Sequence, residues 1–85
     1  MTIISFAEAV AESKKLPQKP DNETLLRLYS LYKQATEGNA PTETAFGMFD
    51  FVAKAKHEAW LRLKDLSRPE AEAQYIALVQ TLSGN

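Results

Sequence analysis

Tyr29, Tyr32 and Lys33 fall within one helical turn of the stretch LLRLYSLYK (residues 25–33), and no other trio in this 85-residue sequence is as chemically pointed. In a helix Tyr29 and Lys33 stand four apart on one face with Tyr32 one residue round, so a phenol hydroxyl, an aromatic plane and an ammonium converge. That set suits an aromatic phosphate ester. Tyrosine offers a stacking surface for a base and a donor for phosphate, and lysine adds charge-assisted hydrogen bonds worth about 1.5–3 kcal/mol each. Filling a core is the other use of tyrosines at this spacing, and periodicity leaves both open. Only Arg27, Ser30 and Lys33 are plainly polar in this segment, so Leu25, Leu26, Leu28, Tyr29, Leu31 and Tyr32 cover more of the helix than one core face needs. The surplus calls for a ligand or, as the alternative, for the partner helix of a small helical protein-interaction module.

The remaining reactive residue types are sparse. There is no cysteine, hence no thiolate nucleophile or disulfide framework, and the single histidine, His57, cannot build a His-based metal site. Ser13, Ser30 and Ser67 lack the glycine pattern of a nucleophile elbow, so the chain is expected not to be an enzyme. Trp60 is expected to anchor the core, and Phe46, Met48 and Phe49 to seal a helix entry. Ten Lys plus Arg against eleven Asp plus Glu give a net charge of −1, which argues against nucleic acid as partner. The balance hides two basic segments. Lys14, Lys15, Lys19, Arg27 and Lys33 face only Asp21 and Glu23 between residues 14 and 33, and Lys54, Lys56, Arg62 and Lys64 face only Glu58 between 54 and 64, +3 in each case. No apolar stretch approaches the roughly 18 residues needed to span a bilayer, and the first ten residues lack the basic start of a secretory signal. Cytoplasmic location without membrane insertion is the expectation, and the length predicts one domain over 1–85.

The elements that must position these residues are four helices. Ile3, Phe6 and Val10 recur with helical spacing, predicting a helix over 3–15 that Pro17 ends. Pro20 and Asp21 set the entry to a helix over 22–37, with Leu25, Leu28, Tyr29 and Tyr32 in a stripe and Gly38 as its stop. Met48, Val52, Ala55, Ala59 and Leu63 predict a helix over 49–64. Ser67 and Glu70 form a capping box ahead of a fourth helix whose stripe is Ala71, Tyr75, Leu78, Val79 and Leu82, with Gly84 past its end. No strand shows period-2 alternation, so the class is all-α. The connection from Gly38 to Gly47 is longer than antiparallel neighbours require; at full extension it reaches about 33 Å against about 24 Å for a helix of this length. Helices 2 and 3 can therefore run in the same direction, joined by a crossover.

Two longer runs carry a family likeness. Leu28 to Gly38 reads LYSLYKQATEG and Gly47 to Trp60 reads GMFDFVAKAKHEAW, and both resemble the acyl-CoA-binding protein family. The likeness extends back through Phe6, Lys14, Leu16, Lys19 and Pro20 and forward to Tyr75 and Ile76. The resemblance implies a four-helix bundle of up-down-down-up topology that binds and carries medium- to long-chain acyl-CoA esters without catalysis. It further implies no cofactor beyond the acyl-CoA ligand itself, and acyl-CoA-using enzymes as partners.

By motif position the resemblance assigns Tyr29, Tyr32 and Lys33 to the head group, with Ser30 and Leu31 in the same contact segment. Lys56 resembles the second phosphate-binding lysine and a flank for adenine, Lys14 the basic residue closing helix 1, and Tyr75 the tyrosine that helix 4 lends to the site. Phe6, Ala9, Leu25 and Leu26 would line the acyl path. The sequence departs from the family pattern at three places. His57 stands where tryptophan commonly follows K-A-K, Val52 where lysine is frequent, and Thr44-Ala45-Phe46-Gly47 replaces R-P-G with one residue added.

Overall fold

A computed structural model describes residues 5–42 and 50–84 of the chain. They form α1 (Phe6–Ser13), α2 (Asn22–Glu37), α3 (Phe51–Leu61) and α4 (Arg68–Leu82), and no strand occurs among the described residues. Local chemistry sets where each helix starts. The Asp21 carboxylate accepts from the Thr24 N–H at 2.8 Å, and Ser67 Oγ accepts from the Glu70 N–H at 3.2 Å; each satisfies an amide that the first turn would leave orphaned. Ser5 does the same for Glu8 at 3.1 Å, which makes Phe6 the first residue of α1. That start lies three residues later than periodicity suggests; the signal was Ser5-x-x-Glu8, a capping-box spacing.

The helix ends are earlier than expected for α1 and α3. Lys14 caps α1. Beyond Leu61 the backbone bonds shorten their span, Leu63 N–H to Trp60 O and Lys64 N–H to Leu61 O, so the chain winds into a tighter turn. Asp65, at φ 70°, then reverses the direction in a left-handed conformation that only a short polar side chain tolerates readily. The expectations for Ile3, Phe46, Met48, Phe49 and the altered Thr44–Gly47 segment lie outside the described residues.

Pairing follows the up-down-down-up order. Leu25 and Leu26 face Phe51, Val52 and Ala55, Tyr29 faces Lys56 and Lys33 faces Trp60. Residue numbers rise together along both helices, so α2 and α3 are parallel, as a crossover connection requires. Against α4 the order reverses: Gln34 bonds Leu66 O just ahead of α4, whereas Arg27 lies near Leu78 and Thr81 towards its end. α2 and α4 make the central pair; α1 lies on α4, and α3 lies on α2. The outline is 42 × 27 × 16 Å, and among the described helices α3 packs against α2 alone.

The core is correspondingly small. Ala9, Leu28, Leu31, Tyr75 and Val79 are its buried centre, ringed by Phe6, Val10, Leu63, Leu66, Ile76, Leu78 and Leu82. From α3 only Ala59 and Trp60 are buried. Val52, expected on the buried stripe of α3, is 68% exposed because no helix stands in front of it.

A polar latch holds the far ends together. Trp60 Nε1 donates to Gly38 O at 2.8 Å, Gln34 Nε2 donates to Asn39 Oδ1 and to Leu66 O, both at 2.8 Å, and the Asp65 amide donates to Asn39 Oδ1 at 2.8 Å. Gln34 is 1% exposed; its amide nitrogen makes two hydrogen bonds, while its buried Oε1 has no partner among the described residues.

Two expectations follow. Val79→Ala should destabilise the fold by about 2 kcal/mol through the cavity it leaves, whereas Val52→Ala should stay within about 0.5 kcal/mol; urea unfolding of both variants measures the contrast. The Thr24 hydrogen bonds hold the Asp21 carboxyl below its ordinary value of 3.8. A lowered folded value means that stability is present in full above 3.8 and lost as pH falls through the lower value. Asp21→Asn keeps a good cap without a titrating group, so its melting temperature should fall less than the wild type's between about pH 6 and about pH 3.

Candidate ligand-binding site

The surplus apolar surface of α2 divides between two neighbours. Leu28 and Leu31 go into the core, while Leu25 and Leu26, half-buried, turn towards α3. With Asn22, Phe51, Val52, Ala55 and Lys56 they line an open groove of about 360 Å³. Its walls are almost wholly hydrocarbon, and Phe51, 67% exposed, and Val52 form one rim.

Lys56 closes this groove at the end nearest the centre of α2. It lines the groove, and its ammonium stands 5.2 Å from the centroid of the Tyr29 ring, within the range of cation–π attraction. One turn further along α2, the Lys33 ammonium stands 5.0 Å over the Trp60 ring and is ion-paired with Glu37. The hydrogen bond that the Lys33 ammonium donates to Glu37 is the main reason the Lys33 pKa is raised above the usual 10.5; partial burial opposes the shift. The pair's small stabilisation is therefore complete below 10.5 and is lost as pH rises through the raised value.

On the side of α2 facing α1 and α4, three rings meet. Phe6 stacks on Tyr32 with centroids 6.0 Å apart and meets Tyr75 edge-on at 5.2 Å, and the two tyrosines lie 6.3 Å apart. Tyr75 is buried, but Tyr32 keeps 40% of its surface in solvent and carries the cluster's outer face. Around α2 the molecule thus presents a hydrocarbon trough leading to two ammoniums on the α3 side, and a half-open phenol on the side of α1 and α4. An amphiphile with an apolar tail and an anionic, aromatic head has the same order of chemistry.

Of the residues the sequence singled out, Tyr29, Tyr32, Lys33 and Lys56 share this rim, and Tyr75 reaches it through Phe6 and Tyr32. Leu25 and Leu26 line the groove. Ser30, Leu31 and Ala9 instead point into the core, at 4%, 2% and 0% exposure, with Ser30 Oγ donating to Arg27 O. Lys14 stands exposed at the end of α1. Asn22, Phe51, Val52 and Ala55 were not anticipated as lining. Their signal was the spacing of 51, 52 and 55 on one face of α3, which sequence alone assigns to a core.

Residues 4–79 match the family model described as acyl CoA binding protein. The chain belongs to the acyl-CoA-binding protein family. It is 44% identical over 79 residues to acyl-CoA-binding protein homolog 1 of Caenorhabditis elegans, covering 93% of this chain and 91% of that protein. It is 48% identical over 80 residues to enoyl-CoA delta isomerase 2 of Rattus norvegicus, covering 94% of this chain but 20% of that longer protein. Among solved structures, the crystal structure of Oryza sativa acyl-CoA-binding protein 2 superposes with a TM-score of 0.81 at 40% identity, over 91% of this chain and 84% of that one.

Proposed function

We propose that this chain is a single, non-catalytic acyl-CoA-binding domain over 1–85 that buffers and carries medium- to long-chain acyl-CoA esters in the cytoplasm, handing them to acyl-CoA-using enzymes. One observation carries the reading: Lys56 belongs at once to the apolar groove and to the aromatic, cationic rim. A ligand that fills the groove therefore ends where positive charge begins. Coenzyme A, with a diphosphate, a further phosphate and an adenine, brings negative charge and a stacking plane to that place.

Lys33 and Lys56 would hold the phosphates, Tyr29 and Tyr32 would face the base and its phosphates, and Tyr75 would support Tyr32 from behind. Leu25, Leu26, Phe51, Val52 and Ala55 would cover the acyl chain. Among the described residues no helix is long and apolar enough to cross a membrane and no cluster could hold a metal ion, so nothing in the proposal draws on either.

The two parts of the ligand contribute differently. Each methylene removed from water is worth about 0.8 kcal/mol, so some ten of them offer roughly 8 kcal/mol before the costs of ordering. Tail burial then dominates affinity, and the rim selects the CoA ester over a bare fatty acid. Calorimetric titration across acyl lengths should show affinity rising with length and then levelling, and equal binding of free CoA and palmitoyl-CoA would contradict the proposal. Lys33→Ala and Tyr32→Ala should each weaken palmitoyl-CoA binding by about 1–3 kcal/mol with helix content unchanged. Wild-type affinity in Lys33→Ala would remove Lys33 from the site, and unfolding of Tyr32→Ala would make that tyrosine a core residue.

A further inference from the structure

The last residue of α2 works against the rim beside it. Glu37 sits at the C-terminal end of the helix, whose last turn has no basic residue, so its carboxylate faces the negative end of the helix dipole. Its counter-charge is Lys33, one turn back. The Lys33 ammonium is thus held between the Trp60 face and the Glu37 carboxylate. Lysine is a point charge with three donors. An approaching phosphate therefore meets a nearly neutral pair at Lys33, whereas at Lys56 it meets an ammonium that stands over an uncharged ring.

The side chain of Glu37 is 52% exposed and that of Lys33 26%, so the carboxylate can swing into solvent while the ammonium stays over Trp60. Resting on the acyl-CoA reading of the site, we propose that Glu37 is a built-in anion that occupies Lys33 in the unliganded protein and is displaced or repelled by a ligand phosphate, thereby setting how strongly the site responds to head-group charge. Glu37 is then a specificity-determining residue. It lowers the share of affinity that comes from phosphate, and leaves discrimination among ligands to the tail and to Lys56.

Glu37→Gln tests this cleanly, because losing a carboxylate from the negative end of a helix should leave the melting temperature at or above wild type. At low ionic strength the variant should bind dodecanoyl-CoA about three- to ten-fold more tightly. The gain should be smaller for the 3′-dephospho form and should shrink as salt is added. In a Lys33→Ala background the same substitution should change affinity by less than about two-fold, since the carboxylate acts through Lys33. Unchanged or weaker binding by Glu37→Gln, or an equal gain without Lys33, would overturn the inference. An NMR titration of the Lys33 ammonium without ligand supplies a separate readout: its raised pKa should fall back towards the usual lysine value in Glu37→Gln, and identical titrations would show that no such pair exists in solution. A wild-type protein that binds no acyl-CoA while its Lys33 titration still responds to Glu37→Gln would locate the failure in the acyl-CoA reading.

Discussion

The indole N–H of Trp60 donates to the carbonyl of Gly38 at 2.8 Å, and the position of α3 depends on that contact. Among the described helices α3 packs on α2 alone, and it buries only Ala59 and Trp60. With so little apolar area committed, the register of α3 needs a directional bond, because hydrophobic burial is non-directional and would tolerate a slide. The bond pins the C-terminal end of α3 to the end of α2. Towards its N-terminal end a groove remains between Leu25, Leu26 and the Phe51–Val52 rim. The same indole supplies the face over which the Lys33 ammonium rests. One side chain therefore fixes the helix and seats the cation.

The thinness of the molecule follows from the same arrangement. A chain of this length buries a smaller share of its surface than a larger domain and supports one modest core. The residues central to stability lie between α1, α2 and α4, while α3 is attached through α2 and the latch of Gln34, Asn39 and Asp65. That division separates the stabilising contacts from those that meet a ligand. Leu28, Leu31, Tyr75 and Val79 hold the fold, whereas Leu25, Leu26, Val52 and Phe51 stay accessible without weakening it. Tyr32 stands on the boundary: its inner face completes the aromatic cluster with Phe6 and Tyr75, and its outer face is open.

Charge is arranged with similar economy. Lys33 and Lys56 belong to helices that run in parallel, so they come to one rim although the net charge of the chain is −1. Local field rather than total charge governs what such a rim attracts. Glu37 moderates that field from within α2 itself, so the rim presents two unequal cations.

Much of this was legible in the residues. Asp21 and Ser67 announced the starts of α2 and α4, Gly38 the end of α2, and the i, i+4 spacing of Tyr29 and Lys33 places them on one face of a helix. The long connection implied that α2 and α3 are parallel. Helical periodicity, however, states only the angle at which a side chain leaves its own axis, and is silent about what stands opposite. Val52 and Ala55 have the spacing of a core stripe and line an open groove, while Ser30, Leu31 and Ala9, assigned to a ligand, are buried. The pairing of Lys56 with Tyr29 and of Lys33 with Trp60 joins residues 27 apart in the chain. Local composition determined the helices and the face each residue occupies; packing between helices decided which of those faces meets solvent, because burial belongs to a pair of surfaces and no single segment contains both.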